Sequence, residues 1–138
     1  MRRRSFLWSF TATCLAAAPA LAADPAIVEV TAKLVEIPSQ LPPDHDYAYV
    51  MRYVVTGGPL DRRSLLVAHY RPRLSRPRIK DRMRPFVRGK VRGFVVGEVH
   101  RLKLSADLKA IWSGAVIDEF AARDRKSVRY WALETDPS

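Results

Sequence analysis

The alternation of apolar and polar residues predicts a chain built mainly of β-strands. Between residues 28 and 34 every second side chain is apolar and the intervening ones are polar, which is the pattern of a strand with one buried face. After residue 34 the apolar positions shift by one, so that Val35 and Ile37 continue the apolar row. A β-bulge inserts one extra residue into a strand and accounts for such a shift, so we expect one at this point.

Four more strands and one short helix are predicted downstream. Apolar, β-branched and aromatic residues mark strands at residues 47–55, 64–70, 94–104 and 128–134. The spacing of Val116, Phe120 and Arg123 predicts one or two helical turns. Five strands and a short helix indicate an all-β fold, and a small five-stranded OB-like barrel is the first choice because closure removes exposed sheet edges. A β-sandwich is the alternative.

Residues 71–92 form a basic segment in which regular structure is not expected. Pro72, Pro77 and Pro85 interrupt both helices and central strands, so we expect a long exposed arm or loop with at most a short helical turn. Basic residues recur at every second position from Arg76 to Arg84, which on an extended backbone would place their charges on one side. The candidate anion-binding residues are Arg71, Arg73, Arg76, Arg78, Lys80, Arg82, Arg84 and Arg88.

The first 23 residues have the features of a secretory signal peptide. Three arginines precede a short apolar stretch that ends in small residues, and Pro19 and several polar residues make this stretch a poor permanent membrane span. Residues 3–7, Arg-Arg-Ser-Phe-Leu, resemble the core of a bacterial twin-arginine signal, and a general secretion signal is the alternative. We therefore expect residues 24–138 to form one mature domain in the periplasm or outside the cell. Cys14 would be removed with the signal, which leaves no disulfide and no membrane span.

Positive charge is concentrated in the middle of the chain. The sequence has 24 Lys and Arg against 14 Asp and Glu, and residues 62–101 hold 13 basic and two acidic residues. Guanidinium groups in a row match carboxylates, sulfates and phosphates, so the expected partner is a polyanion. Outside the cytoplasm this indicates an acidic polysaccharide or peripheral contact with anionic lipid rather than nucleic acid. The alternatives are a solvated loop and arginines paired with Asp118, Glu119 and Asp124.

Two histidines are the candidates for chemistry. His69 and His100 each lie in a predicted strand, and adjacent strands could bring them together as a metal pair or an acid–base pair. No third ligand has a diagnostic spacing, so no metal, cofactor or catalytic residue is assigned. Structural histidines bonded within the barrel wall are the favoured interpretation, and Tyr53, His69 and His100 are candidate ligand contacts. A sugar-binding face is the alternative role for the aromatic residues Tyr47, Tyr49, Tyr53, Tyr70, Trp112, Tyr130 and Trp131.

Four hydrophobic stretches carry a resemblance to a known type of domain. They are residues 49–55 (YVMRYVV), 65–70 (LLVAHY), 96–104 (VGEVHRLKL) and 130–133 (YWAL). They resemble a bacterial exported β-domain that accompanies proteins of polysaccharide O-acetylation, of the alginate-acetyltransferase-related kind. The serine, histidine and aspartate blocks of those acetyltransferases are missing here, so the resemblance implies an accessory domain and supplies no catalytic residue.

Three classes of function follow from the sequence. The leading one is an exported, non-enzymatic binding or accessory module, which would hold an anionic glycan or an envelope-assembly protein through the basic segment. The second is a small periplasmic enzyme that uses His69 or His100 with a carboxylate such as Glu98. The third is a protein-interaction or inhibitor-like module, because small barrels also serve in that role.

Overall fold

The chain folds into a mostly β structure with one short helix and a mixed sheet of seven strands. The computed structural model describes residues 27–39 and 46–138, so the expected signal peptide lies outside the described residues. The strands are β1 (Ile27–Glu36), β2 (Ala48–Val55), β3 (Ser64–Tyr70), β4 (Arg88–Gly89), β5 (Val99–Ser105), β6 (Val116–Ile117) and β7 (Arg129–Pro137), and the helix is α1 (Leu108–Ile111). No helix in the described ranges has the length and hydropathy to cross a bilayer.

Each of the five long strands pairs with two of the others. Strand β1 pairs antiparallel with both β2 and β5, and β2–β3 and β5–β7 are antiparallel pairs as well. Strands β3 and β7 are parallel. The pairings therefore lead from β1 through β2, β3, β7 and β5 back to β1. The two-residue strands β4 and β6 add short parallel pairings to β7 and β2.

The β-bulge expected in β1 is confirmed. The register between β1 and β2 shifts between Leu34 and Glu36, which is where the apolar positions change parity. Residues Ile27 to Lys33 of the same strand pair with β5. Because a bulge bends the strand that contains it, β1 contacts two partner strands along different parts of its length.

Strands β2 and β3 are buried on both faces, because each face contributes to a different hydrophobic cluster. The first core cluster joins them to β1 and β5 and contains Ala32, Leu34, Met51, Tyr53, Val55, Leu65, Val67, Leu102, Leu104 and Ala132. The second core cluster lies on the opposite face and contains Ala48, Val50, Leu66, Ala68, Tyr70, Ile79, Met83, Val87, Trp112, Phe120 and Trp131. This double burial explains why the sequence of β2 is apolar at almost every position.

The basic segment packs against the sheet, so the expectation of a long exposed arm is wrong. Its side chains Ile79, Met83 and Val87 are buried in the second core cluster. Two 3-10 turns, Arg76–Arg78 and Arg84–Phe86, each contain a proline near their start. Proline suits that position because the first N–H groups of a helical turn have no partner within it.

Two other elements differ from the sequence predictions. The helix is α1 rather than a segment near residues 116–123. Asp107 caps its N-terminus, because the Asp107 carboxylate accepts a hydrogen bond from the Ala110 N–H (3.3 Å). Residues 116–117 form β6 instead, and residues 119–123 are turns. Strand β5 begins only at Val99, because Gly97 with a φ of 102° turns the chain just before it.

Candidate functional site

A buried tyrosine connects the two histidines that the sequence singled out. The Tyr53 hydroxyl oxygen lies 3.0 Å from Nε2 of His69 and 3.0 Å from Nδ1 of His100. All three side chains are at most 2% exposed. Their strands are β2, β3 and β5, and β3 is not paired with β5. The sequence had suggested that the two histidines meet on adjacent strands. In the structure they are connected across the core by Tyr53 instead.

One arrangement of protons satisfies this network and the carboxylate beside it. Nε2 of His100 lies 3.5 Å from Oε1 of Glu98, so its N–H donates toward Glu98 and its Nδ1 accepts the Tyr53 hydroxyl proton. The Tyr53 oxygen then accepts the Nε2–H of His69. In the reverse arrangement, an unprotonated Nε2 of His100 would point its lone pair at the Glu98 carboxylate, which is unfavourable. The hydrogen of His69 would then lie on Nδ1, a buried atom that has no hydrogen-bond partner among the described residues.

Arg76, a predicted anion-binding residue, is a buried cation beside the network. It is 1% exposed, and its Nη2 donates to the carbonyls of Arg71 (2.8 Å) and Leu74 (3.0 Å). Its Nε and Nη1 have no hydrogen-bond partner in the described part of the chain. Burial lowers the pKa of Arg76 to about 10, so the side chain is charged at neutral pH. Arg76 is thus removed from the exposed surface that the sequence predicted.

Phe94 covers the network from the basic-segment side. Its ring centre lies 4.4 Å from that of His69, 5.8 Å from that of His100, and 5.1 Å from the guanidinium carbon of Arg76. The arginine faces the ring, which is a cation–π contact. Phe94 precedes the exposed side chains of Val95 and Val96 in the turn that leads to β5. The sequence had placed Phe94 in a strand and gave no indication of this covering role.

Burial keeps the network neutral. The pKa of His69 lies well below its ordinary value because of burial, and the positive charge of Arg76 acts in the same direction. Burial also lowers the pKa of His100, although the Glu98 carboxylate opposes part of that change. The pKa of Tyr53 is raised by burial. At neutral pH the three groups are uncharged hydrogen-bonding partners.

We expect the protein to lose stability as the pH falls below about 6.5. The unfolded chain takes up protons on both histidines in this range, whereas the folded chain resists protonation. The free energy of unfolding should therefore fall by up to about 1.4 kcal/mol per pH unit for each histidine. Urea denaturation at pH 7.5, 6.5, 5.8 and 5.0 measures this slope. The ionisable groups that face the histidines are Tyr53, Arg76 and Glu98.

The His69→Gln variant supplies the control for this pH dependence. Glutamine retains polar atoms but does not titrate, so the slope of stability between pH 6.5 and 5 should become shallower than in the wild type. Carboxyl groups contribute little in this window, because the pKa of Glu36, for example, is lowered by hydrogen bonds from Arg123 and Arg52. An unchanged slope would contradict the assignment to buried histidine.

The other candidate cations of the basic segment differ in the contacts that their side chains make. Arg71 lies 3.7 Å from the Asp46 carboxylate and 3.8 Å from the Asp81 carboxylate. Nη1 of Arg84 donates to the carbonyls of Pro77 (3.2 Å) and Ile79 (3.0 Å). Arg73 is exposed. Four cations are exposed and form neither a salt bridge nor a side-chain hydrogen bond among the described residues: Arg78, Lys80, Arg82 and Arg88.

The predicted row of five cations from Arg76 to Arg84 on one side of an extended backbone is not formed, because Arg76 is buried and the backbone contains two 3-10 turns, although the other four are exposed. They flank the buried side chains of Ile79 and Met83, but Asp81, which an extended backbone would place on the opposite side, is exposed as well. The guanidinium carbon of Arg82 also lies 6.0 Å from the ring centre of Trp112. The alternative pairing with acidic flanks is not observed for them, since Asp118, for example, bonds to Arg129 at 2.8 Å.

The aromatic residues do not form an open sugar-binding face. Five of the seven candidates are at most 4% exposed: Tyr49, Tyr53, Tyr70, Trp112 and Trp131. No group of three or more His, Cys, Asp or Glu side chains within residues 27–39 and 46–138 is arranged to hold a metal ion. No family model, curated protein or solved structure matches the chain. Function is therefore argued from this geometry.

Proposed function

We propose that this protein is an exported, non-enzymatic binding module that holds an anionic polysaccharide on its basic segment. The observation that carries the proposal is a group of four exposed cations, at residues 78, 80, 82 and 88, whose side chains form neither salt bridges nor hydrogen bonds among the described residues. Such charges repel one another and attract a polyanion. Apolar contacts from Ile79, Met83 and Val87 hold their backbone against the sheet. Because that backbone is ordered before binding, less conformational entropy is lost when the ligand binds.

An OB-like barrel is the fold that we propose for the five long strands. This proposal is supported by the circular series of pairings, with one parallel pair between β3 and β7 and antiparallel pairs elsewhere. OB-folds commonly bind oligonucleotides on the face formed by their second and third strands. Here that face of β2 and β3 is buried beneath the basic segment and Trp112. Its burial argues against nucleic-acid binding across the sheet.

An anionic polysaccharide is the polyanion that fits this surface and the expected compartment. Its carboxylates or sulfates recur along a chain, and the four cations recur along 11 residues of the basic segment. An arginine guanidinium can donate two parallel hydrogen bonds to such a group. The expected export signal would place the domain where acidic glycans occur. The resemblance to domains that accompany polysaccharide O-acetylation agrees with this partner.

The test removes the four cations together. The variant with Gln at positions 78, 80, 82 and 88 should bind alginate about tenfold more weakly at low salt, and its affinity should depend less steeply on salt. Isothermal titration calorimetry at two or more salt concentrations measures both effects. The four sites are exposed, so the fold should be retained, which a urea denaturation curve verifies.

The matched control changes net charge equally at exposed sites outside the basic segment. It carries Gln in place of Arg63, Arg101, Arg125 and Lys126, all of which are exposed. This control should keep most of the wild-type affinity for alginate. Equal losses in the two variants would show that only total charge matters. The absence of alginate binding by the wild type would overturn the proposed function.

A further inference from the structure

A surface cavity adjoins the buried network at His100. Its volume is about 490 Å³, and its lining includes Lys90, Arg92, Glu98 and His100. Small-molecule sites commonly have volumes of about 300–1,000 Å³. Lys90 and Arg92 are exposed and form no salt bridge among the residues that the structure describes. The cavity therefore combines two cations that form no salt bridge with one acidic side chain and a histidine.

The His100 ring is fixed so that one nitrogen is available to this cavity. The side chain is 2% exposed, its Nδ1 is bound by the Tyr53 hydroxyl, and Phe94 packs edge-on at 5.8 Å between ring centres. Nε2 is the remaining ring nitrogen. In the proton arrangement derived above it carries a hydrogen, so it is a positioned donor at the cavity wall.

Glu98, the one acidic side chain in the cavity lining, faces this donor at a distance that makes a weak contact. Oε1 of Glu98 lies 3.5 Å from Nε2 of His100, whereas N–H···O hydrogen bonds are usually about 2.7–3.2 Å long. The Glu98 side chain is 51% exposed, so its carboxylate can move into solvent at little cost. Nothing else in the described structure bonds to it through its side chain.

We propose that this cavity binds the carboxylate of a small acid or an acidic sugar, and that Glu98 occupies the carboxylate position when no ligand is present. The N–H of His100 would donate to the ligand carboxylate, and Lys90 and Arg92 would neutralise it. Binding displaces Glu98 to the solvent, and no covalent step is involved. The site uses cations other than the four proposed to bind polysaccharide, so the two proposals can fail separately.

The test is a titration with sodium glucuronate, followed by the imidazole NMR signals of His100 and by calorimetry. Glu98→Gln should bind glucuronate about tenfold more tightly than the wild type, because the internal competitor has lost its charge. The double variant with Gln at positions 90 and 92 should bind about tenfold more weakly. The control Glu29→Gln makes the same change in net charge at an exposed residue outside the cavity, and it should match the wild type.

Titrations with acetate and with glucose show whether the cavity recognises the carboxylate, the sugar ring or both. Acetate and glucuronate binding with equal affinity supports a site for small acids, whereas a preference for glucuronate supports an acidic sugar. Equal binding of glucose and glucuronate would overturn the proposal. It would also be overturned if glucuronate left the His100 signals unshifted in both the wild type and Glu98→Gln, or if Glu29→Gln tightened binding as much as Glu98→Gln.

Discussion

Gly89→Ala is expected to lower the free energy of unfolding by about 2–5 kcal/mol. Gly89 lies in β4 with a φ of 117°, a conformation that residues with a Cβ rarely adopt. A Cβ at this position would lie 2.6 Å from the backbone nitrogen of Thr135 and 2.7 Å from its carbonyl carbon, and closer still to its oxygen. The two strands must separate to admit it. The loss falls where the basic segment is paired with β7, so alginate binding should weaken as well.

Gly58→Ala is the matched control for this prediction. Gly58 has a φ of 74° and no atom within 4 Å of the position of a Cβ, so alanine there should cost only about 1 kcal/mol from backbone strain. Urea denaturation of both variants measures the difference, and alginate affinity should be unchanged in Gly58→Ala. Equal losses of stability in the two variants would contradict the close approach of β4 to β7.

Trp131→Ala is expected to destabilise the protein by about 3–5 kcal/mol. Trp131 is a fully buried member of the second core cluster, where its ring stacks on Trp112 with 6.1 Å between centres. Its Nε1–H also donates to the carbonyl of Phe86 at 2.8 Å. Because Phe86 belongs to the second 3-10 turn of the basic segment, the substitution removes both a core side chain and a bond that holds that segment to the sheet.

Trp131→Phe separates these two contributions. Phenylalanine retains most of the ring but leaves the Phe86 carbonyl without its donor, so we expect a smaller loss of about 1–3 kcal/mol. Limited proteolysis should show faster cleavage within residues 71–92 in both variants, and urea denaturation gives the free energies. A loss below about 1 kcal/mol for Trp131→Ala would contradict its place in the core.

Burial limits which residues of the network could contact a substrate in an enzymatic reaction. Tyr53 and His69 have no exposed surface, so neither contacts a substrate without movement of the covering residues. His100 lines the surface cavity, and Nε2 is its one ring nitrogen that Tyr53 does not bind. The role that the geometry favours is a positioned hydrogen-bond donor whose neutral form is maintained by burial. This role suits ligand recognition, and it also accounts for the expected loss of stability in acid.

Local patterns in the sequence determined where most strands lie. The prediction for residues 64–70 coincides with β3, and the parity change after residue 34 marks the bulge in β1. Both succeed because side-chain alternation reports directly which face of a strand is buried. The same alternation failed in the basic segment, where it predicted five outward cations from Arg76 to Arg84 but Arg76 is buried and 3-10 turns replace the extended backbone. The helix was misplaced because a single short turn depends on a cap such as Asp107 more than on periodicity.

Only the tertiary structure decided what covers the sheet and which polar groups meet. Ile79, Met83 and Val87 recur every four residues within the basic segment, and this spacing could have indicated burial, but charge and proline dominated the pattern. No sequence pattern joins Tyr53, His69 and His100, because their contact depends on the register and crossing of separate strands. Tyr53 and His100, for example, are 47 residues apart in the sequence. Local sequence encodes alternation, whereas such contacts arise from packing among distant strands.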